Sequence, residues 1–152
     1  MNGWTLPLPR GKLRFDEART GGGMSSGTEQ DEPIRPRILI VEDEPLIAMM
    51  LTDMLAELGF DVVASVTQVG AAIKILDELK IDVALLDVNI GTQKIDPVAD
   101  LLATRGTPFV FTTGYGNAGV PSGHAERPIL QKPFRIDDLA AVLRNQLGMT
   151  ES

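Results

Sequence analysis

A chain of 152 residues is the size of one ordinary domain, long enough to bury a core without staples and too short for a large multidomain enzyme. With no cysteine and a single histidine, disulfide scaffolds, thiolate-ligated zinc or iron–sulfur centres, cysteine nucleophiles and histidine-rich metal sites are excluded. Fourteen basic against 21 acidic residues leave a net charge of −7, which repels nucleic acid backbones and anionic membranes.

No stretch approaches the roughly 20 apolar residues of a membrane span, and the first residues lack the apolar core of a signal peptide. The expected address is therefore cytoplasmic, with neither nucleic acid nor membrane as partner. Residues 1–36 carry five basic and five acidic residues, four prolines and the run Gly21-Gly22-Gly23. This composition predicts a disordered leader. Its charges cancel, so the whole acidity falls on the folded part, expected over 37–148 with a short tail at 149–152.

After Pro36 short apolar runs alternate with helical patterns. Ile38–Val41 predicts a buried strand. Apolar positions 46, 47, 50, 51, 54, 55 and 58 predict one helix stripe stopped by Gly59, with Met49, Met50 and Met54 as core or edge packing. Val62–Ala64 predicts a second strand, residues 69–79 a second helix and Val83–Leu86 a third strand. Asp96 followed by Pro97 predicts an N-cap and first helical position for a helix reaching Thr104. Phe109–Thr112 and Ile129–Gln131 complete the strands, and residues 136–147 predict a closing helix. Strands separated by helices imply right-handed crossovers and a parallel sheet covered on both faces.

In an open parallel sheet, chemistry lies beyond the carboxyl ends of the strands, where the strand order reverses. Here those ends carry Glu42-Asp43-Glu44, Asp87, Thr113 and Lys132-Pro133. Converging carboxylates repel one another, and the natural compensation is a hard cation with oxygen ligands, Mg²⁺ or Mn²⁺. A metal ion, an ammonium and a hydroxyl beside a carboxylate form a set suited to phosphoryl transfer, and the carboxylate can be the nucleophile.

The segments Ile38-Leu39-Ile40-Val41-Glu42-Asp43-Glu44-Pro45, Leu85-Leu86-Asp87, Phe111-Thr112-Thr113-Gly114 and Gln131-Lys132-Pro133-Phe134 resemble the receiver domains of two-component response regulators. The resemblance covers about residues 36–148. Pro108 through Gly114 also resembles the Pro-Phe-x-Phe-Ala-Thr-Gly subgroup of mostly single-domain receivers, with Thr112 in place of alanine. It implies a flavodoxin-like (βα)5 doubly wound sheet in the order 2-1-3-4-5. By the same resemblance Asp87 is the phosphoacceptor, and Mg²⁺ is held by Glu42, Asp43, Asp87 and the backbone carbonyl of Asn89. Thr113 swings toward the phosphoryl group and Lys132 pairs with it across a cis Lys132–Pro133 bond. Such a protein is not an enzyme in its own right; it catalyses only its own phosphorylation and dephosphorylation. A sensor histidine kinase or phosphotransfer protein is the implied donor, and the implied output is binding of a protein target, a phosphorelay shuttle or a phosphate sink, from a monomer or a phosphorylation-dependent dimer.

Two departures concern switching. Receivers commonly carry an aromatic switch residue where this chain has Ile129. The segment Gly114–Pro128, where receivers place a fourth helix, holds four glycines and two prolines, each unfavourable inside a helix. A short or irregular fourth helix is expected, with Gly114, Tyr115 and Ile129 as switch or partner positions. His124, in that segment, is expected to be a solvated loop residue. Among rival readings, an aspartyl-nucleophile phosphatase of the haloacid dehalogenase type fits Asp87 through Thr92 but lacks the second acid, because Asn89 stands there. A domain in which the acids serve only as helix caps would bind no Mg²⁺.

Overall fold

The computed structural model describes residues 34–116 and 118–149. The leader, apart from residues 34–36, and the tail beyond 149 therefore lie outside the described residues. The strands are β1 (Arg37–Val41), β2 (Asp61–Val66), β3 (Val83–Asp87), β4 (Phe109–Thr113) and β5 (Ile129–Gln131). The α-helices are α1 (Pro45–Glu57), α2 (Val69–Glu78), α3 (Asp96–Thr104) and α4 (Ile136–Gln146). All pairings are parallel and the order is β2-β1-β3-β4-β5, the expected doubly wound arrangement.

Alternation along the strands builds two cores. Leu39, Val41, Ala84, Leu86, Phe109 and Phe111 face α2 and α3, burying Ala72, Leu76, Val98, Ala99 and Leu102. Ile38, Ile40, Val83, Leu85, Val110 and Leu130 face α1 and α4, burying Leu51, Leu55, Leu139 and Leu143. The central strands β3 and β4 are buried along their whole length, which explains their unbroken apolar runs.

Several sequence expectations shift in the structure. Strand β2 runs longer than Val62–Ala64, because it is a partly exposed edge strand in which Asp61, Ser65 and Val66 also pair with β1; a bulge falls between Ile38 and Leu39. Ile95 is the N-cap of α3, with Asp96 and Pro97 as its first helical residues, and the Ile95 carbonyl accepts the N–H groups of Val98 and Ala99. Proline fits there because the first amides of a helix have no intrahelical acceptor. Helix α1 carries more apolar side chains than one face of a sheet can take. Leu51 and Leu55 are buried, whereas Leu46 and Met49 are 78% and 58% exposed, so these two are not core residues.

Between β4 and β5 the only helical element among the described residues is a 3₁₀ turn at Ser122–His124. His124 is not solvated: it is 9% exposed and packs edge-on against Phe109, with ring centroids 5.5 Å apart. The Lys132–Pro133 bond is cis. No described helix is long and apolar enough to cross a membrane.

Candidate functional site

The strand registers assemble the site. Val41 lies opposite Leu86, so the next residues, Glu42 and Asp87, leave neighbouring strands side by side. The Glu42 amide donates to the Val66 carbonyl at 3.0 Å, extending the ladder one residue past β1. Asp87 pairs with Thr112 across β3 and β4, and the Lys132 amide donates to the Thr113 carbonyl at 2.8 Å, holding the residue after β5 beside the end of β4. Glu42, Asp87, Thr113 and Lys132 are thus placed by hydrogen-bonded backbone. Asp43, Asp87, Asn89, Gly114, Tyr115 and Lys132 line a cavity of about 580 Å³ at this edge.

Charge is concentrated here under little solvent. Glu42 and Asp87 are each 1% exposed. Lys132 Nζ lies 3.3 Å from Asp87 Oδ2 and 3.2 Å from Glu42 Oε1. Asp87 Oδ1 accepts the Asn89 amide at 2.9 Å, and Glu42 Oε2 accepts the Glu44 amide at 3.1 Å. Burial, reinforced by the neighbouring Asp87 charge, pushes the Glu42 carboxyl up to about 7. Burial alone would lower the Lys132 ammonium, but the Asp87 and Glu42 carboxylates outweigh it and hold it above its ordinary value.

The donor set fits a hard divalent cation. One oxygen each from Glu42, Asp43 and Asp87 lies within 4.8 Å of the others, and every candidate ligand is oxygen, as Mg²⁺ and Mn²⁺ prefer. Glu42 Oε1 is buried and meets no donor in good hydrogen-bond geometry; the Lys132 ammonium, 3.2 Å away, pairs with it by charge. A buried oxygen in that condition is costly, and the clustering of Asp43 with the two carboxylates that Lys132 pairs crowds further negative charge at this edge. Gly91, with φ +54°, turns the chain after β3 close to Asp43: a Cβ there would stand 3.9 Å from Asp43 Oδ2.

Thr113 is buried at the end of β4, and its Oγ1 accepts the Tyr115 amide at 3.0 Å. Tyr115 itself is 74% exposed at the cavity rim. Ile129 does not reach this cavity: it is half-buried and, like Val120, packs against the α2/α3 core. Sequence reading missed the apolar half of the lining: Ile47 and Met50 sit in the α1 stripe that reads as ordinary core, and Phe134, though within the Gln131-Lys132-Pro133-Phe134 segment, has no polar group to mark it. It also missed Gln131, whose side-chain oxygen accepts the Gly116 amide at 3.1 Å.

A doubly wound sheet with an acidic cavity at its switch point defines the class. Residues 38–144 match the response regulator receiver domain family, and the chain belongs to it. Among curated proteins it is 33% identical over 132 residues to the phyllosphere-induced regulator PhyR of Methylorubrum extorquens, covering 84% of this chain and 49% of that one. It is 30% identical over 116 residues to the transcriptional regulatory protein PdtaR of Mycobacterium tuberculosis, covering 74% and 57%. The chain thus spans about half the length of these curated relatives. The solution structure of SdrG from Sphingomonas melonis Fr1 superposes with a TM-score of 0.68 at 48% identity, covering 74% of this chain and 97% of SdrG. A structure of the BeF3-activated conformation of SdrG is similar with a TM-score of 0.64 at 49% identity, covering 73% and 95%.

Proposed function

We propose that this chain acts as a stand-alone receiver, with residues 37–148 as the working unit, accepting a phosphoryl group on Asp87 from a histidine kinase or phosphotransfer protein in a Mg²⁺-dependent reaction. The observation that carries the reading is the setting of Asp87: a carboxylate within reach of Lys132 Nζ at 3.3 Å, grouped with two further carboxylates, and lining an open cavity. Asp43 and Glu42 would hold the cation, with Asp87 and the Asn89 carbonyl completing the protein ligands. When bound, the cation neutralises charge on the transferring phosphoryl oxygens.

In the transfer, an Asp87 carboxylate oxygen attacks phosphorus, the P–N bond to the donor imidazole breaks and an aspartyl phosphate forms. Lys132 pairs with the phosphoryl oxygens it faces. Thr113, at the end of β4, turns its hydroxyl toward another of them, and Gly114 and Tyr115 follow because the Tyr115 amide is hydrogen-bonded to the Thr113 oxygen. The exposed Leu46, Met49 and Met50 on α1, the last lining the cavity, offer an apolar collar on which a helical phosphodonor can dock. Output passes through contacts with a further protein, and the cytoplasm is the compartment where such donors act.

The test is intact-mass analysis of the full chain after incubation with acetyl phosphate. One phosphoryl group should appear with Mg²⁺ present and none with EDTA. Labelling that ignores EDTA would exclude the cation-assisted reading.

A further inference from the structure

The segment joining β4 to β5 is fastened at two places. Gly119, with φ +89°, approaches Val88 so closely that a Cβ there would stand 3.4 Å from Val88 Cγ2, and Val120 packs beside it on the α2/α3 core. Five residues after Gly119, His124 closes the 3₁₀ turn through its amide to the Pro121 carbonyl at 2.9 Å. The His124 Nε2 lies 2.7 Å from Oδ1 of Asp100, midway along α3. Arg127 donates its amide to the His124 carbonyl at 3.1 Å and lays its guanidinium over Phe109, 4.2 Å from the ring centre.

These two fastenings lie downstream of Thr113, Gly114 and Tyr115. Val88 directly follows Asp87, so the first is an extension of the phosphoacceptor strand. The second ties the segment to a different element, α3, by one short hydrogen bond between a buried ring and a carboxylate that is 70% exposed. Nothing in the chemistry at Asp87 uses this pair. If Thr113 is drawn toward a phosphoryl group, Gly114 and Tyr115 are pulled along, and the remainder of the segment either follows or resists at His124.

We infer that the His124–Asp100 pair is a latch, with His124 a positioning residue that holds the β4–β5 segment in its resting register and opposes activation at Asp87. The inference rests on the reading of Asp87 as phosphoacceptor. A contact made only in the resting state lowers the apparent affinity of any ligand that selects the activated state, by the factor it adds to the resting population. Removing it therefore tightens binding of a phosphoryl mimic.

The experiment is an NMR titration of the full chain with beryllofluoride at fixed Mg²⁺ and pH, read at the Thr113 and Gly114 amides, with amide exchange of residues 118–128 in the free protein. Asp100→Ala and His124→Leu should each tighten the apparent affinity about fivefold and speed exchange. His124→Gln, whose amide can reach the same carboxylate, should return the affinity close to the parent value. The double variant should bind no more tightly than either single one, because both break one contact. Should His124→Leu fail to fold, Asp100→Ala, at an exposed position, carries the test. Unchanged or weaker affinity in a folded Asp100→Ala chain overturns the latch while leaving the Asp87 reading intact. A parent chain that does not respond to beryllofluoride at all overturns both.

Discussion

The acidic edge and the β4–β5 segment lie next to each other and are held in opposite ways. Glu42, Asp87 and Lys132 sit on backbone locked into the sheet, and their charges conflict under almost no solvent. The β4–β5 segment has little regular structure and is held by separable contacts at Val88, Asp100 and Phe109. Reacting groups need positions that do not drift, whereas a signal needs a part whose contacts can be exchanged at a cost of a kcal/mol or two. On the proposed reading these two jobs fall to different stretches of chain, joined through the end of β4.

The largest effects are expected at the rigid acidic edge. Asp87→Asn should abolish phosphoryl labelling while leaving the fold intact, as followed by phosphate incorporation and circular dichroism. Lys132→Met should come next: labelling by acetyl phosphate should slow about 100-fold, by analogy with the loss of one donor to a developing anion. The cation-free protein should also lose on the order of 3 kcal/mol, because buried carboxylates are left without their ammonium; urea unfolding in EDTA measures this.

The pH response sharpens the same point. The Glu42 carboxyl is raised from 4.5 to about 7 in the folded chain, so between these values the folded state holds a proton that the unfolded state has released. Cation-free stability should therefore fall as pH rises from about 4.5 to 7 and level off above. Glu42→Gln should flatten that slope. Millimolar Mg²⁺, binding ionised carboxylates of the folded chain only, should offset the loss increasingly as pH approaches 7. The smallest effect on stability is expected on α1. Leu46→Ser and Met49→Ser should change it by no more than about 0.5 kcal/mol, because both side chains are exposed. The same variants should slow transfer from a histidine kinase while acetyl phosphate labelling stays at the parent rate.

Much of the acidic edge was legible because each buried strand is a short apolar run that ends in a chemically distinct residue, as Leu85-Leu86-Asp87 does. Once the strands are ordered, those ends must converge. The irregular β4–β5 segment was legible for a negative reason, its glycines and prolines. Its fastenings were not, because His124 finds Asp100 24 residues away and nothing local marks the pair. The outward face of α1 was misread for a related reason. Its apolar residues exceed what one sheet face can cover, and periodicity alone does not say which of them the sheet leaves exposed.

Which carboxylate carries the phosphoryl group can be read chemically. Treating the acetyl phosphate-labelled full chain with borohydride reduces an acyl phosphate to the corresponding alcohol, and peptide mass mapping then locates it. Homoserine at position 87 alone, lost with EDTA, is the predicted result. Homoserine at Asp43, or a stable phosphate on a hydroxyl such as Thr113 with none at Asp87, would contradict it.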